Sequence, residues 1–283
     1  MTAPAPYLRP DTLPEALDAL ATGEFRIAAG CTDLFPATER KALEGPILDI
    51  TAIDSLRGIK VTAQGVRIGA LTTWRDVIDT PLPPAFDGLK QAAAEVGAHQ
   101  IQNRGTVAGN LCNASPAADG VPPLLTLSAS VELTSSAGTR TTPLEQFIKG
   151  PRQVDLRPGE VVSAILIPQE ATAGQSHFRK LGARKYLVIS IAMVAARLEL
   201  DGTTVSAARI AVGACGPVAT RLPAAEARLV GHALDPDRIR EMDVAASLSP
   251  IADMRADAAY RLHAAADLVR RTVAGISAGG HLS

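Results

Sequence analysis

Residues 100–119 read QIQNRGTVAGNLCNASPAAD, and no other segment restricts the chain as strongly. Gly, Ala, Ser and Asn crowd a stretch bounded by the helix-forming GLKQAAAEVGA and the apolar VPPLLTLSASVEL. The backbone here must either turn tightly or come close to a ligand. A second small-residue segment, AAGCTD at 28–33, overlaps the apolar FRIAA in a comparable setting. Both segments put small residues after a buried element, where consecutive backbone N–H groups can converge on one cavity and hold phosphate oxygens. Each signal alone is weak. No Lys-Ser/Thr follows GTVAGN as in a P-loop, no GxGxxG follows the first strand, and most Gly-rich loops are turns.

The rest of the pattern is α+β. PDTLPEALDAL predicts a helix capped by Asp11 or Thr12 and ended by Gly23; FRIAA reads as a buried strand, with Thr32 or Asp33 as cap of a short helix after it. PILDI, RGIKVTA and GVRIGAL are strand-like, the last two spaced as a hairpin about Gln64-Gly65. TTWRDVIDTPLPPAFDGLKQAAAEVGA is helical in two pieces broken by Pro81, Pro83 and Pro84, and the segment at 100–119 follows as a loop. TLSASVELTS, TRTTPLEQFI and EVVSAILIP alternate strand and turn, and the polar PQEATAGQ places a domain boundary near residue 172. Beyond it, SHFRKLGARKYLVISIAMVAARLEL and TVSAARIAVGACG supply strands. PAAEARLVGHAL, PDRIREMDVAASL and RADAAYRLHAAADLVRRTVAGI supply Ala-rich amphipathic helices. The reading is an amino-terminal domain over 1–172, in lobes of about 1–55 and 56–172, and a carboxy-terminal domain of a small sheet and helices over 173–283.

Composition excludes several partners. A net charge of -1 without a basic stripe, and 3% aromatic residues, argue against nucleic acid. The longest uncharged apolar run, 186–196, is too short for a membrane span, and MTAPAPYLRP lacks the features of a signal peptide, so the expected location is the cytoplasm. Cys31, Cys112 and Cys215 are isolated, so no metal is expected on this chain. Cys31 and Cys112 read as small buried hydrophobes, and His99 as a solvated loop residue. Tyr186 is open between stacking on a ligand ring and packing at a strand edge.

Taken together, YLRPDTLPEALDAL, AGCTDL, QIQNRGTVAGNLCNASPAAD and DMRADAAYRLHAAADLVRR resemble the FAD-binding medium subunit of the molybdenum hydroxylases, the group of xanthine and carbon monoxide dehydrogenase flavoproteins. The resemblance runs from about residue 5 to about residue 275. It implies a two-lobed FAD domain and a carboxy-terminal flavoprotein domain. It also implies an iron–sulfur small subunit, a molybdopterin large subunit, and a dimer of heterotrimers. Electrons would pass from [2Fe-2S] clusters on the partner through FAD to NAD, oxygen or another acceptor. A scaffold subunit without FAD and a stand-alone flavoprotein oxidase are the alternatives.

The resemblance also implies the site. Its first FAD loop falls on Ala29, Gly30, Cys31, Thr32 and Asp33, flanked by Ile27, Ala28 and Leu34. Its second falls on Thr106, Val107, Ala108, Gly109 and Asn110. Asn113 and Asp119 match positions on the ribityl and adenosine side, and Val162 and Lys180 match positions lining the nucleotide and flavin pocket. Asp33 is also open to a helix-capping role. Cys31 and Ala108 replace usual glycines. The expectation is negative φ at both, which makes the added Cβ nearly free, whereas positive φ costs roughly 1 kcal/mol. Gln102, where Arg is common, is expected on the loop surface.

Overall fold

The computed structural model describes residues 6–39 and 43–277; the first five residues, read above for a leader, and Arg40, at the end of the segment read as a short helix, lie outside the described residues. The chain opens with β1 (Tyr7–Leu8), α1 (Leu13–Thr22), β2 (Arg26–Ala28) and β3 (Ile47–Asp49), the strands forming a parallel sheet in the order β1-β3-β2. Of the two candidate caps of α1, Thr12 takes the role. Its hydroxyl accepts from the Glu15 N–H while the Glu15 carboxylate accepts from the Thr12 N–H, so two orphan donors are satisfied at once. Pro14 sits in the first turn, where its missing N–H costs nothing. Ala16 and Leu17 bury against Leu48, Ile50 and Ile53.

Next come β4 (Ile59–Thr62), β5 (Gly65–Gly69), α2 (Trp74–Asp79), α3 (Asp87–Glu95), α4 (His99–Gln102), α5 (Val107–Asn113) and α6 (Val121–Thr126). They are followed by β6 (Ser130–Ser135), β7 (Gly138–Pro143), α7 (Leu144–Phe147), β8 (Ile148–Gly150), β9 (Gln153–Val154) and β10 (Val161–Pro168). An antiparallel five-stranded sheet, β4-β5-β10-β6-β7, carries this region, and Trp74, Phe86, Leu89, Leu111, Leu124 and Phe147 fill the core against it. The segment expected as a loop at 100–119 is partly helical. Thr106 caps α5 by accepting the Gly109 N–H, and Val107 and Leu111, four apart, bury one face.

The remaining sheet is antiparallel, β11 (Gln175–Leu181), β12 (Ala192–Asp201), β13 (Thr204–Gly213) and β14 (Thr220–Arg221), covered by α8 (Pro223–Leu229), α9 (Glu241–Ala245) and α10 (Ala258–Ser277). The helix expected over 236–248 shrinks to a 3-10 turn at Pro236–Arg238 and the five-residue α9, because Asp235 caps the turn and the chain extends through Ile239 and Arg240 before restarting. This sheet is fastened to what precedes it. Ser176 Oγ accepts the Gly88 N–H at 2.8 Å and donates to the Ala85 carbonyl at 2.7 Å, and Arg197 Nε donates to the Thr126 carbonyl at 3.0 Å.

Arg261 of α10 is buried and donates to the Ile191 carbonyl (2.6 Å), the Ala214 carbonyl (2.9 Å) and Asp253 Oδ1 (2.6 Å). The Arg255 N–H, then Arg261, hold the Asp253 carboxyl down from its ordinary 3.8 to about 2. A carboxyl depressed in the folded state stabilises above its unfolded value, and that contribution is lost as pH falls from about 4 towards 2. Asp253→Asn should therefore lower stability at neutral pH, where that contribution is fully present, and flatten the acid limb in that window, read by chemical denaturation across a pH series.

Candidate functional site

A cleft of about 1390 Å³ runs between the turn after β2, the amino-terminal end of α5, the stretch 156–162 and residues 187–189. It exceeds the usual few hundred to about 1,000 Å³ of a small-ligand pocket, as a dinucleotide requires.

The first loop enters from β2. Cys31 stands at φ 60, left-handed, contrary to the negative φ expected for it. Close approach is the reason. A Cβ on Gly30 would lie 2.0 Å from the Arg104 carbonyl oxygen, so the loop abuts the second loop directly and must reverse hand within one residue. Left-handed and right-handed residues in succession turn neighbouring amides into an anion-binding concavity. Among the described residues, no N–H from Gly30 to Leu34 donates to a protein acceptor. Neither Thr32 nor Asp33 caps a helix. The turns closed by Phe35 N–H to Cys31 O (3.3 Å) and Ala37 N–H to Asp33 O (3.1 Å) do not propagate, because Pro36 between them has no N–H. Cys31→Gly relieves the left-handed Cβ and is expected to raise stability by about 1 kcal/mol, measured by urea titration of the cofactor-depleted chain.

The second loop differs from its expectation as an open row of amides. The Val107 N–H bonds the Thr72 carbonyl (3.0 Å), that of Gly109 bonds Thr106 Oγ1 (3.0 Å), and that of Asn110 bonds the Thr106 carbonyl (3.1 Å). What it offers the cleft is small bulk and one side chain: Asn110 Oδ1 is buried with no hydrogen-bond partner. Ala108 lies inside α5 with no left-handed φ, as expected of it, and lines the cleft.

Of the positions implied by the resemblance, Ile27, Ala29 to Leu34, Thr106, Ala108, Gly109, Asn110, Asn113, Asp119 and Val162 line the cleft. Ala28, Val107 and Lys180 are not on its wall. Ala28 is buried in β2, Val107 points into the core, and Lys180 Nζ pairs with Asp119 Oδ2 at 2.8 Å. Ser190 Oγ donates to Asp119 Oδ1 at 2.6 Å. Burial pushes the Asp119 carboxyl up, against the opposing pull of Lys180 and Ser190. Two lone-pair sites of the carboxylate are left for a hydroxyl-bearing ligand.

Other expectations change. Gln102 is 5% exposed rather than on the surface, and its Nε2 donates to the Ala94 carbonyl at 3.0 Å. Cys31 and Cys112 are not core residues. Both line the cleft, Cys112 exposed and Cys31 half-buried, and burial raises the Cys31 thiol. Tyr186 is neither in the core nor on the cleft wall. It is 63% exposed between β11 and β12, with Lys185 Nζ 5.1 Å from its ring centre, while the neighbouring Leu187, Val188 and Ile189 line the cleft. His99 is exposed but opens α4 rather than lying in a loop. Trp74, Leu187 to Ile189 and Arg152 escaped the sequence reading; each reaches the cleft only through tertiary placement, and no local spacing marks it.

Residues 2–170 match the family described as the FAD binding domain in molybdopterin dehydrogenase, and residues 176–276 the CO dehydrogenase flavoprotein C-terminal domain. The chain belongs to this flavoprotein family. It is 31% identical to a putative xanthine dehydrogenase FAD-binding subunit of Escherichia coli, with 98% of each chain covered. It is 30% identical to the carbon monoxide dehydrogenase medium chain of Hydrogenophaga pseudoflava, over 94% of this chain and 95% of that one. Among solved structures, carbon monoxide dehydrogenase from Hydrogenophaga pseudoflava superposes with a TM-score of 0.89 at 31% identity, covering 98% of this chain and 99% of that one. Quinoline 2-oxidoreductase from Pseudomonas putida gives 0.88 at 29%, covering 99% of each.

The residues present in this flavoprotein fit the cofactor that its family implies. Free amides at Gly30 to Leu34 suit a diphosphate, the orphaned Asn110 oxygen suits an N–H or hydroxyl donor, and the glycine at 30 leaves no side chain between the loops.

Proposed function

We propose that this chain is the electron-transferring medium subunit of a molybdenum hydroxylase, holding one FAD between the 27–34 and 106–110 loops. The row of free amides beside a cleft of dinucleotide size carries this reading. FAD supplies the redox chemistry, taking electrons from iron–sulfur clusters on a partner subunit and delivering them to NAD, oxygen or another acceptor. The chain's own residues bind and orient. Gly30 to Leu34 donate to the diphosphate, Asn110 accepts from the cofactor, Asn113 and the free lone pairs of Asp119 receive ribityl or ribose hydroxyls, and Val162 with Leu187 to Ile189 shields an apolar ring from water. Lys180 acts through Asp119.

The same reading divides the chain near residue 172 and places it in the cytoplasm, in a dimer of heterotrimers with an iron–sulfur small subunit and a molybdopterin large subunit. A permanent interface of this kind usually buries upward of roughly 2,000 Å². The visible spectrum of the purified chain, with FAD released on denaturation and counted against protein, tests the cofactor. One FAD per chain is expected; a colourless chain with no releasable flavin, in complex with its partners, would establish the scaffold alternative. Full-rate oxidation of a small organic substrate by the isolated chain would instead establish a stand-alone oxidase.

A further inference from the structure

Arg152 occupies the turn between β8 and β9 at φ 61, a conformation that a non-glycine residue keeps only where its surroundings enforce it. The enforcement is visible. Its N–H donates to the Ala114 carbonyl at 2.9 Å, and its Nη1 donates both to the Asn113 carbonyl at 3.1 Å and to Asn113 Oδ1. Ala114 itself is left-handed, at φ 46, where it ends α5. Two unfavourable backbone conformations are thus locked together, and their joint result is a guanidinium held on the cleft wall.

No carboxylate among the described residues forms an ion pair with that guanidinium, and of its five N–H donors only those on Nη1 have protein acceptors. The charges around the cleft give this weight. Arg152 and Arg157 are the only basic residues among those described on its wall, which also carries Glu24, Asp33, Glu95, Asp119 and Glu160. Asp119 is paired with Lys180 and Glu160 with Arg140, which leaves Glu24, Asp33 and Glu95 against the two arginines, so a diphosphate entering the cleft still meets more carboxylate than guanidinium. The second loop has few free amides to answer it, since those of Val107, Gly109 and Asn110 are already bonded.

We infer that Arg152 is a phosphate-recognition residue of this cleft, its Nε and Nη2 donors directed at the diphosphate of the bound dinucleotide while Asn113 fixes the plane of the guanidinium. Resting on the FAD reading, this adds a charged anchor outside both small-residue loops. It also gives Asn113 a positioning role in place of direct contact alone. Arg suits the task because a fork with one prong tethered still presents two parallel donors to a phosphate.

The test titrates FAD, ADP and riboflavin into the full chain stripped of flavin, comparing wild type, Arg152→Gln, Arg152→Lys and Asn113→Ala at low and high salt. Arg152→Gln should weaken FAD and ADP by about ten- to a hundredfold and leave riboflavin, which has no phosphate, unchanged. Arg152→Lys should fall between, Asn113→Ala should lose less than Arg152→Gln, and the salt dependence of FAD binding should shrink with the charge. An equal loss for riboflavin would reveal a merely structural role at the end of α5 and overturn the inference, as would unchanged FAD affinity in Arg152→Gln. A wild-type chain that binds neither FAD nor ADP would remove the FAD reading along with it; normal wild-type binding beside an indifferent Arg152→Gln removes this inference alone.

Discussion

A single methyl group at Gly30 is expected to strip this protein of its flavin. In Gly30→Ala the new Cβ falls 2.0 Å from the Arg104 carbonyl oxygen, 2.8 Å from its carbon and 3.0 Å from the Gly105 Cα. These are backbone atoms, so no rotamer change relieves the overlap. The second loop cannot retreat. The Arg104 and Gly105 amides donate to the Ile101 carbonyl at 3.1 and 2.6 Å, and the Gly105 carbonyl accepts from Trp74 at 3.1 Å. The first loop must move instead, and its free amides move with it. Overpacking of this kind costs about 1–3 kcal/mol of stability, while loss of amide alignment should lower FAD affinity by about a hundredfold or more, equivalent to about 2.7 kcal/mol. The flavin-to-protein ratio after purification, paired with a thermal melt, reads both. A Gly30→Ala chain that retains one flavin would show that the loops do not hold it.

Lys180→Met is expected to be the most destabilising conservative change near the cleft. Both side chains of the Lys180–Asp119 pair are nearly buried, at 6% and 11% exposure, and removing the ammonium leaves the carboxylate with the Ser190 hydroxyl as its one hydrogen-bond donor in the protein. Stranding a buried charge costs about 3–5 kcal/mol. Burial already raises the Asp119 carboxyl above its ordinary 3.8, and without Lys180 it rises further. A carboxyl raised in the folded state is least harmful below its unfolded value, and its penalty grows as pH climbs through the folded one. Denaturant unfolding of Lys180→Met should therefore show a deficit that is large at neutral pH and shrinks in acid. The pair Lys180→Met with Asp119→Asn should recover much of it. A deficit constant across pH would mean that the side chain matters for its methylenes and not its charge.

Much of the architecture was legible because local signals agreed with the global fold. Thr12 and Glu15 three apart, Pro14 in the first turn and Gly23 beyond the end define α1 without tertiary help. The β4–β5 hairpin and the long strands β10, β12 and β13 likewise stand out by their runs of apolar and β-branched residues. Several failures share one cause, that another segment decides, whereas the shortened helix over 236–248 and the missing cap at Thr32 or Asp33 trace to Asp235 and Pro36 close by. Cys31 is left-handed because Arg104, far along the chain, presses on Gly30. Gln102 is buried because Ala94 offers it a carbonyl. Lys180 faces Asp119 and Arg152 faces Asn113, pairings that no spacing in one sequence encodes. The motif glycines lie on the cleft, but hydrogen bonds to Thr72 and Thr106 decided which amides of the second loop stay free.

The distribution of the three cysteines makes this protein its own occupancy gauge. Cys31 and Cys112 open onto the cleft, whereas Cys215 is buried beneath α10 with its thiol near the Arg261 carbonyl, at 3.8 Å. A thiol reagent added to the empty chain can reach the first two, Cys31 the more slowly because burial shifts it towards the protonated form. A cofactor held in the cleft as proposed would cover them, and the third becomes accessible on unfolding. Empty, loaded and unfolded molecules therefore carry different label counts, and intact-mass spectrometry can sort all three in one sample without reference to colour.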